Sequence, residues 1–498
     1  MSPAAPSIVT SLPARSLEAL GRQVGLAVSA GADLAEVRVD RLPPAERAGL
    51  AGLFPSPLPL LATYRSRAEG GDGAEDPGLR REILLELARL PFRWVDLELR
   101  RDLAILPELP PAERLGRIIS VHPGPGSVRS WEGCLRELGG VEGIGKLVVP
   151  ATLTELFEVL VPLLDRSRDS RRVVHTTGPS GPLLRALARE FGFPFVFASL
   201  PEASGEAAVE ASQVPLDRLR PFVDGPPRSP LFAVAGRPVL HSRSPAVHSA
   251  WMRAEGRSGL FVALEPADEQ EFVRVLPALA AAGFRGLNVT HPFKRAALET
   301  SGEIRPGASA CGAANCLSFQ DGAVVGENTD LSAVLRRLEE LRGSGRWDGR
   351  SLTVLGAGGA ARATLAAARL LTIDATIAAR RPAAAQELAR EFGARVLEGG
   401  PGRPAGLLVH ATTVGRAGAG ELAVRLDPLL GPGTHVLDWV YAPDRPLLRV
   451  RAERAGATYE DGWRLFVYQA AASYALWWGS APSTELLSAA LREGGCAA

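Results

Sequence analysis

Lysine is almost absent from this chain of 498 residues. Of its 56 Lys+Arg residues only Lys146 and Lys294 are lysine, which leaves 56 − 2 = 54 arginines. Asparagine is nearly as scarce, with Asn288, Asn315 and Asn328 alone. The four cysteines (Cys134, Cys311, Cys316 and Cys496) lack the spacing of a metal cluster or a disulfide framework, so no metal is expected. Excess charge is lacking too. A net charge of +1 removes the electrostatic case for nucleic acid or an anionic membrane. The apolar run LFVYQAAASYALWWG (465–479) is shorter than the ~20 residues that span a bilayer and carries Gln469, so it reads as a buried helix. The start, MSPAAPSIVTSLPARS, has no basic stretch leading into an apolar one, and a reduced cytoplasm is the expected setting.

The abundance of Ala, Gly, Arg and Pro fits GC-rich coding, which depletes lysine and asparagine everywhere. What survives is enriched at positions where arginine cannot substitute. Arginine stays protonated, so it serves neither as a base nor as an amine nucleophile, whereas lysine can lose its proton. The two lysines therefore mark two amine-dependent sites, one in each half.

The length predicts two or three domains. Eight short apolar runs alternate with helical patterns through residue 220: SIVTSL, ADLAEVRVD, LPLLATYRS, FRWVDLELR, GRIISVH, GIGKLVVPA, RRVVHTTG and FPFVFASL. Eight β/α units predict an α/β fold beginning with a TIM (β/α)8 barrel over 1–221. Glu36, Arg38, Arg65, His122 and Lys146 fall at strand ends, where such barrels place their chemistry. FVDGPPRSP reads as a linker at 222–230. A second α/β region follows, expected as a substrate-binding subdomain (231–336), a Rossmann subdomain (337–460) and C-terminal helices returning to the substrate subdomain (461–498). SLTVLGAGGAARATLAAARLL gives strand, glycine turn and helix. Gly356, Gly358 and Gly359 there suit close approach of a pyrophosphate to a helix N-terminus. After the next strand, Arg380 and Arg381 stand where no acid does, which suits a 2′-phosphate and hence NADP.

EVRVD, YRSRAEGG, SVH and GIGKLVVP together resemble type I 3-dehydroquinate dehydratase over most of 7–220. The resemblance implies a Schiff base on Lys146, His122 as general base and acid, and Glu69 orienting its imidazole. It assigns substrate contacts to Glu36, Arg38, Arg65, Arg185 and Gln213. Nearby arginines and desolvation are expected to favour the neutral amine. Arg65 and Glu69, four apart, also fit a plain surface ion pair. The chain departs from the family at Thr177, for a methionine, and at Val209, for a serine. His175 matches no family role and reads as structural.

VAGRPVLHSRSPAVHSAW, GLNVTHPFK, GAANCL, GENTD and GWRLFVYQAA resemble shikimate dehydrogenase over about 231–492. That family reduces 3-dehydroshikimate to shikimate with NADPH. Lys294 and Asp330 match its catalytic pair. Ser242, Ser244, Asn288, Thr290, Asn315, Tyr441 and Gln469 match substrate positions. Gly356, Ala357, Gly358, Gly359, Ala360, Arg380, Arg381 and Thr412 are the expected cofactor contacts. Ala379 and Arg381 depart from the family's Asn-Arg-Thr, His410 stands where asparagine is usual, and Leu465 replaces a methionine.

The two reactions are consecutive, so the expectation is a fused shikimate-pathway enzyme acting on 3-dehydroquinate and 3-dehydroshikimate, with no nucleic-acid or membrane partner. A catabolic quinate/shikimate dehydrogenase fusion is the nearer alternative. A regulatory binding protein built from the same domains is the more distant one, and it has no need of Lys146, His122, Lys294 and Asp330 together.

Overall fold

A computed structural model describes residues 4–124, 128–166, 171–397, 404–412, 414, 427–441 and 447–493; Cys496 lies outside them. The chain forms two compact units, residues 1–233 with 240–284 and residues 234–239 with 285–498.

The first unit is built on eight parallel strands: β1 (Ser7–Leu12), β2 (Leu34–Arg38), β3 (Leu60–Thr63), β4 (Trp94–Glu98), β5 (Gly116–Val121), β6 (Ile144–Pro150), β7 (Arg172–Thr177) and β8 (Phe195–Ala198). Their order is β7-β6-β5-β4-β3-β2-β1-β8, the sequence expected of a TIM barrel. All eight fall in the apolar runs read from the sequence. Among the described residues no backbone ladder joins β7 to β8, and side chains bridge that seam. His175 Nε2 accepts the Phe197 N–H at 3.3 Å, while Arg185 donates to the carbonyls of Phe197 (3.0 Å) and Thr176 (3.1 Å).

Strand side chains alternate, so every second residue faces the interior. Val9, Leu34, Leu61, Ile118, Val173 and Phe195 pack there as one apolar cluster, with Trp94 and Ile144 against it. Two residues further along each strand stand Ser11, Glu36, Thr63, Asp96, Ser120, Lys146, His175 and Phe197. Two further still come Arg38, Arg65, Glu98 and His122. The interior therefore changes from apolar to ionisable toward the strand C-termini.

This unit also holds β10 (Leu260–Leu264) and the helix Glu269–Ala281. Glu271 on that helix accepts the Thr154 N–H just after β6, at 2.8 Å.

In the second unit, β11 (Phe284–Val289) pairs antiparallel with β13 (Cys316–Gln320), which pairs antiparallel with β14 (Ala323–Glu327), which in turn runs parallel to β12 (Glu303–Ile304). β9 (Leu231–Ala235) precedes them, and its last residue accepts the Thr290 N–H at 2.8 Å. A second, all-parallel sheet contains β15 (Ser351–Leu355), β16 (Asp374–Ala378), β17 (Arg395–Val396), β18 (Leu407–His410), β19 (His435–Asp438) and β20 (Thr458–Glu460). Its order, β17-β16-β15-β18-β19-β20, reverses at β15 and is the doubly wound dinucleotide-binding arrangement. No described helix is long and apolar enough to cross a membrane.

One buried cation supports the barrel rim. Arg80, 1% exposed, donates from Nε and Nη2 to Asp102 (3.1 and 2.8 Å), and its Nη2 lies 3.4 Å from Glu98. Arg80→Met leaves the buried Asp102 without its cation, while Glu98 keeps Arg65 and Arg101 at 3.5 and 3.4 Å. It is expected to destabilise the barrel by about 3–5 kcal/mol, read as a lowered urea midpoint for loss of barrel structure.

Candidate active sites

Lys146 sits 5% exposed on β6. Its Nζ lies 3.2 Å from Asp96 and 3.7 Å from Glu36, and 4.1 Å from the centroid of the Phe197 ring. Its immediate charged partners are acids, not the arginines expected from the sequence. Arg65 reaches it through Asp96, whose Oδ1 accepts from Arg65 Nη2 at 2.8 Å and from the Ser120 hydroxyl at 2.5 Å. Burial pushes the Asp96 carboxyl up, but Arg65 and Lys146 outweigh it and hold it below its ordinary value. Glu36 accepts the hydroxyls of Ser11 (2.6 Å) and Thr63 (2.9 Å), so its orientation is fixed.

Arg65 and Glu69 are not a surface pair. They lie 3.2 Å apart, with side chains 4% and 8% exposed. Arg65 also donates to Ser120 at 2.8 Å. Glu69 Oε2 is met by the His122 N–H (3.1 Å) and by His122 Nδ1 (3.0 Å). A carboxylate only accepts, so Nδ1 carries the proton and Nε2 keeps its lone pair. Burial, then the charges of Arg65, Lys146 and Arg38, push the imidazole well below its usual range. Burial pushes Glu69 up to about 7, helped by Glu98 and Asp96 and opposed by Arg65. The pair is a neutral base beside a carboxyl that titrates near neutrality.

Arg38 is bidentate on Asp40 (2.9 and 2.7 Å). Arg185, on the helix Gly181–Ala186, spends Nε and Nη1 on carbonyls, while its Nη2 lies 3.7 Å from Glu210. Gln213 donates to Ser11 Oγ at 3.1 Å, and its buried Oε1 has no partner. The sequence reading missed Asp96, Glu98, Ser120 and Asp40. A signal was present: Asp96 and Glu98, two apart in VDLEL, face one side of an otherwise apolar strand.

The second lysine opens the helix Lys294–Glu299. Its Nζ is 2.5 Å from Asp330 Oδ2. Asp330 lies in the first turn of the helix Thr329–Gly343, which Asn328 caps by accepting the Leu331 N–H at 3.1 Å. Asn315 donates to Asp330 Oδ1 (2.8 Å) and accepts the Thr329 N–H (2.6 Å). Thr329 Oγ1 lies 3.1 Å from Ser473 Oγ, which accepts from Asn288 Nδ2 at 2.7 Å. One polar chain thus runs from Lys294 to Asn288, whose buried Oδ1 has no partner. Thr329 and Ser473 were not foreseen.

Tyr441 packs on Phe466, centroids 4.9 Å apart, and Gln469 Nε2 donates to the Phe466 carbonyl at 3.0 Å. The Thr290 methyl covers Gly236. Ser242 and Ser244 belong to the first unit, where their hydroxyls lie 3.2 Å apart.

Gly356 follows β15 at φ +126°, and a Cβ there would collide with the Ala411 carbonyl. Gly358 caps the helix Gly359–Leu370 without a side-chain bond, so the first-turn N–H groups are open to an anion. A Cβ on Gly359 would lie 2.5 Å from Lys294 Cδ, so the glycine turn touches the stem of Lys294. This cradle fits a dinucleotide pyrophosphate, with Ala357 and Ala360 inside the same turn. Arg380 and Arg381, beyond the end of β16, are exposed and have no ion-pair partner among the described residues. His410, Thr412 and Asp438 are joined by hydrogen bonds of 2.7 and 2.6 Å.

Residues 8–222 match the type I 3-dehydroquinase family, and residues 234–317 match the shikimate dehydrogenase substrate binding domain. The chain is 37% identical over 267 residues to a shikimate dehydrogenase (NADP(+)) of Ruegeria sp. (strain TM1040), covering 51% of this chain and 95% of that protein. A solved shikimate 5-dehydrogenase from Thermus thermophilus, in complex with NADP(H) and shikimate, is 33% identical and covers 53% of this chain and 99% of that one, with a TM-score of 0.47. The solved dehydroquinate dehydratase and shikimate dehydrogenase from S. pombe is 21% identical and covers 99% of this chain and 98% of that one, with a TM-score of 0.43.

The Glu69–His122 geometry fixes a pH dependence. Above pH about 7 the Glu69 carboxylate accepts the Nδ1 proton and leaves Nε2 basic. As pH falls through that value the carboxyl is protonated and the orientation is lost. The barrel reaction's kcat/KM is therefore expected to fall on the acid side with an apparent pKa near 7. Glu69→Gln should abolish that limb and lower the plateau roughly tenfold.

Proposed function

Since the chain belongs to the shikimate dehydrogenase family and carries a type I 3-dehydroquinase unit ahead of it, we propose that it dehydrates 3-dehydroquinate to 3-dehydroshikimate and then reduces that product to shikimate with NADPH. One observation carries the reading: the two lysines of the chain fall one in each matched region, each against a carboxylate. Both activities act on small molecules. A cytoplasmic setting suits them, because the thiols stay reduced there.

In the barrel, Lys146 attacks the ketone carbon of dehydroquinate, and loss of water leaves an iminium. That cation draws electron density from the adjacent carbon and acidifies its C–H bonds. His122 Nε2 takes the proton. The electron pair forms the new double bond as the hydroxyl one carbon further leaves, protonated by the same imidazole. Water then hydrolyses the iminium and frees Lys146. Glu69 holds the ring, and Arg65 holds Glu69. Asp96 and Glu36, against Lys146 Nζ, can receive and return the protons that amine attack and hydrolysis require. Arg38, Arg185 and Gln213 bind the hydroxyls and carboxylate.

In the second site, Lys294 supplies the proton to the ketone oxygen, Asp330 holds the ammonium in place, and solvent water returns the proton to the amine. Arginine could bind an oxyanion there but give no proton. Asn288 Oδ1, buried and unpaired, suits a substrate hydroxyl. Thr290, Asn315, Tyr441 and Gln469 complete the recognition of a polyhydroxylated acid. NADPH, when bound, supplies the hydride. The turn Gly356–Ala360 would hold its pyrophosphate and Arg380 and Arg381 its 2′-phosphate, with Thr412 a further contact.

Borohydride added with dehydroquinate is expected to trap a covalent adduct on Lys146, read by peptide mass spectrometry. No adduct, or an adduct elsewhere, contradicts the Schiff-base assignment. Arg380→Ala with Arg381→Ala should weaken NADPH roughly tenfold or more while leaving NADH almost unchanged. Equal weakening of both contradicts the 2′-phosphate role.

A further inference from the structure

The sequence puts a histidine at position 410, where the resembled family has asparagine, and the site as described gives that histidine no task. Its surroundings are specific. His410 is the last residue of β18, 1% exposed. Nδ1 lies 2.7 Å from Asp438 Oδ1, on the neighbouring strand β19, and Nε2 lies 2.6 Å from Thr412 Oγ1. Asp438, also 1% exposed, accepts two more hydrogen bonds: the Val440 N–H on Oδ1 (2.9 Å) and the Tyr459 hydroxyl on Oδ2 (2.9 Å). Burial and the Asp438 charge push the Tyr459 phenol above its ordinary range, so it stays a donor.

For a neutral imidazole, these contacts fix every proton in the chain. A carboxylate with three donors around it has none to give, so His410 Nδ1 carries the proton. With the ring neutral, Nε2 is then an acceptor, and the Thr412 hydroxyl must donate to it. Thr412 Oγ1 meanwhile accepts the Val414 N–H at 3.1 Å. Its proton is turned inward and one lone pair remains. Thr412 is half-buried, with its methyl against Gly356 of the glycine turn. Alone, a threonine hydroxyl can turn either way. Here it can only accept.

We propose that His410 is a positioning residue for the cofactor: with Asp438 it locks the Thr412 hydroxyl as an acceptor, which receives a hydrogen bond from a donor group of the dinucleotide, a ribose hydroxyl or the carboxamide N–H. The inference rests on the NADP reading of the glycine turn. It goes beyond that reading by assigning the task to residues that bear no charge toward the phosphates and by giving the Thr412 contact its direction, that of an acceptor.

The test is a double-mutant cycle on the dissociation constant for NADPH, measured by quenching of the intrinsic fluorescence without substrate. Thr412→Val and His410→Ala should each weaken NADPH by about tenfold, and the double variant should be no weaker than either alone, because the two act as one contact. His410→Gln, whose amide oxygen reaches the position of Nε2, should recover part of the loss. Effects that multiply to about a hundredfold in the double variant, or a Thr412→Val chain that binds NADPH as the parent does, overturn the proposal. Should a variant fail to fold, 15N-histidine spectra of the parent decide. A protonated Nδ1 and a bare Nε2 at His410, with the Nε2 resonance moving on NADPH addition, support the relay, and the opposite tautomer or an unmoved resonance overturns it. A parent that binds no NADPH contradicts the cofactor reading itself, a separate outcome.

Discussion

Both halves of this chain depend on one contact, a primary ammonium held directly against a carboxylate. Arginine makes a stronger, bidentate version of it, and the chain uses that version throughout its framework, as at Arg38–Asp40 and Arg80–Asp102. It cannot use it where a proton must leave the nitrogen. At Lys146 the carboxylates are Asp96 and Glu36, and at Lys294 the carboxylate is Asp330. Each acid is itself buried and fixed by further donors, so the amine meets an acceptor that does not move.

The barrel interior shows how such a contact is supported. Arg65 ties Asp96, Glu69 and Ser120 together, Glu69 orients His122, and Arg80 neutralises Glu98 behind them. The framework arginines and acids pair with each other, and the same acids hold the lysine and the histidine. The lower interior is apolar, so the ionisable layer rests on a packed floor and opens only toward the strand C-termini.

The eight barrel strands and the strand–glycine–helix unit were legible because apolar runs and turn glycines carry their own local physics. The two lysines stood out because arginine cannot replace an amine that exchanges protons, whereas His122, Glu69 and Asp330 were named only through the family resemblance. Asp96 and Glu98 were not, since alternating acids in a strand read equally well as its wet face, and only barrel closure turns that face inward. Ser473 and Thr329 escaped for a similar reason: a serine in an apolar helix and a threonine after a cap carry no signal until the helices meet. The amine's acidic partners were missed because spatial adjacency follows strand register, which nearness in sequence does not reveal. The β7–β8 seam, bridged by His175 and Arg185, was equally hidden, since missing backbone pairing leaves no trace in composition.

The most direct test of the account is complementation between two single variants. Lys146→Arg and Lys294→Arg chains are purified separately, given 3-dehydroquinate and NADPH, and followed by NADPH oxidation. Each alone should oxidise none. Their mixture should consume one NADPH per dehydroquinate after a lag, because each variant supplies the reaction the other lacks and the intermediate passes through solvent. Sustained NADPH oxidation by either variant alone, or none by the mixture while the parent chain is active, would contradict the assignment of one lysine to each reaction.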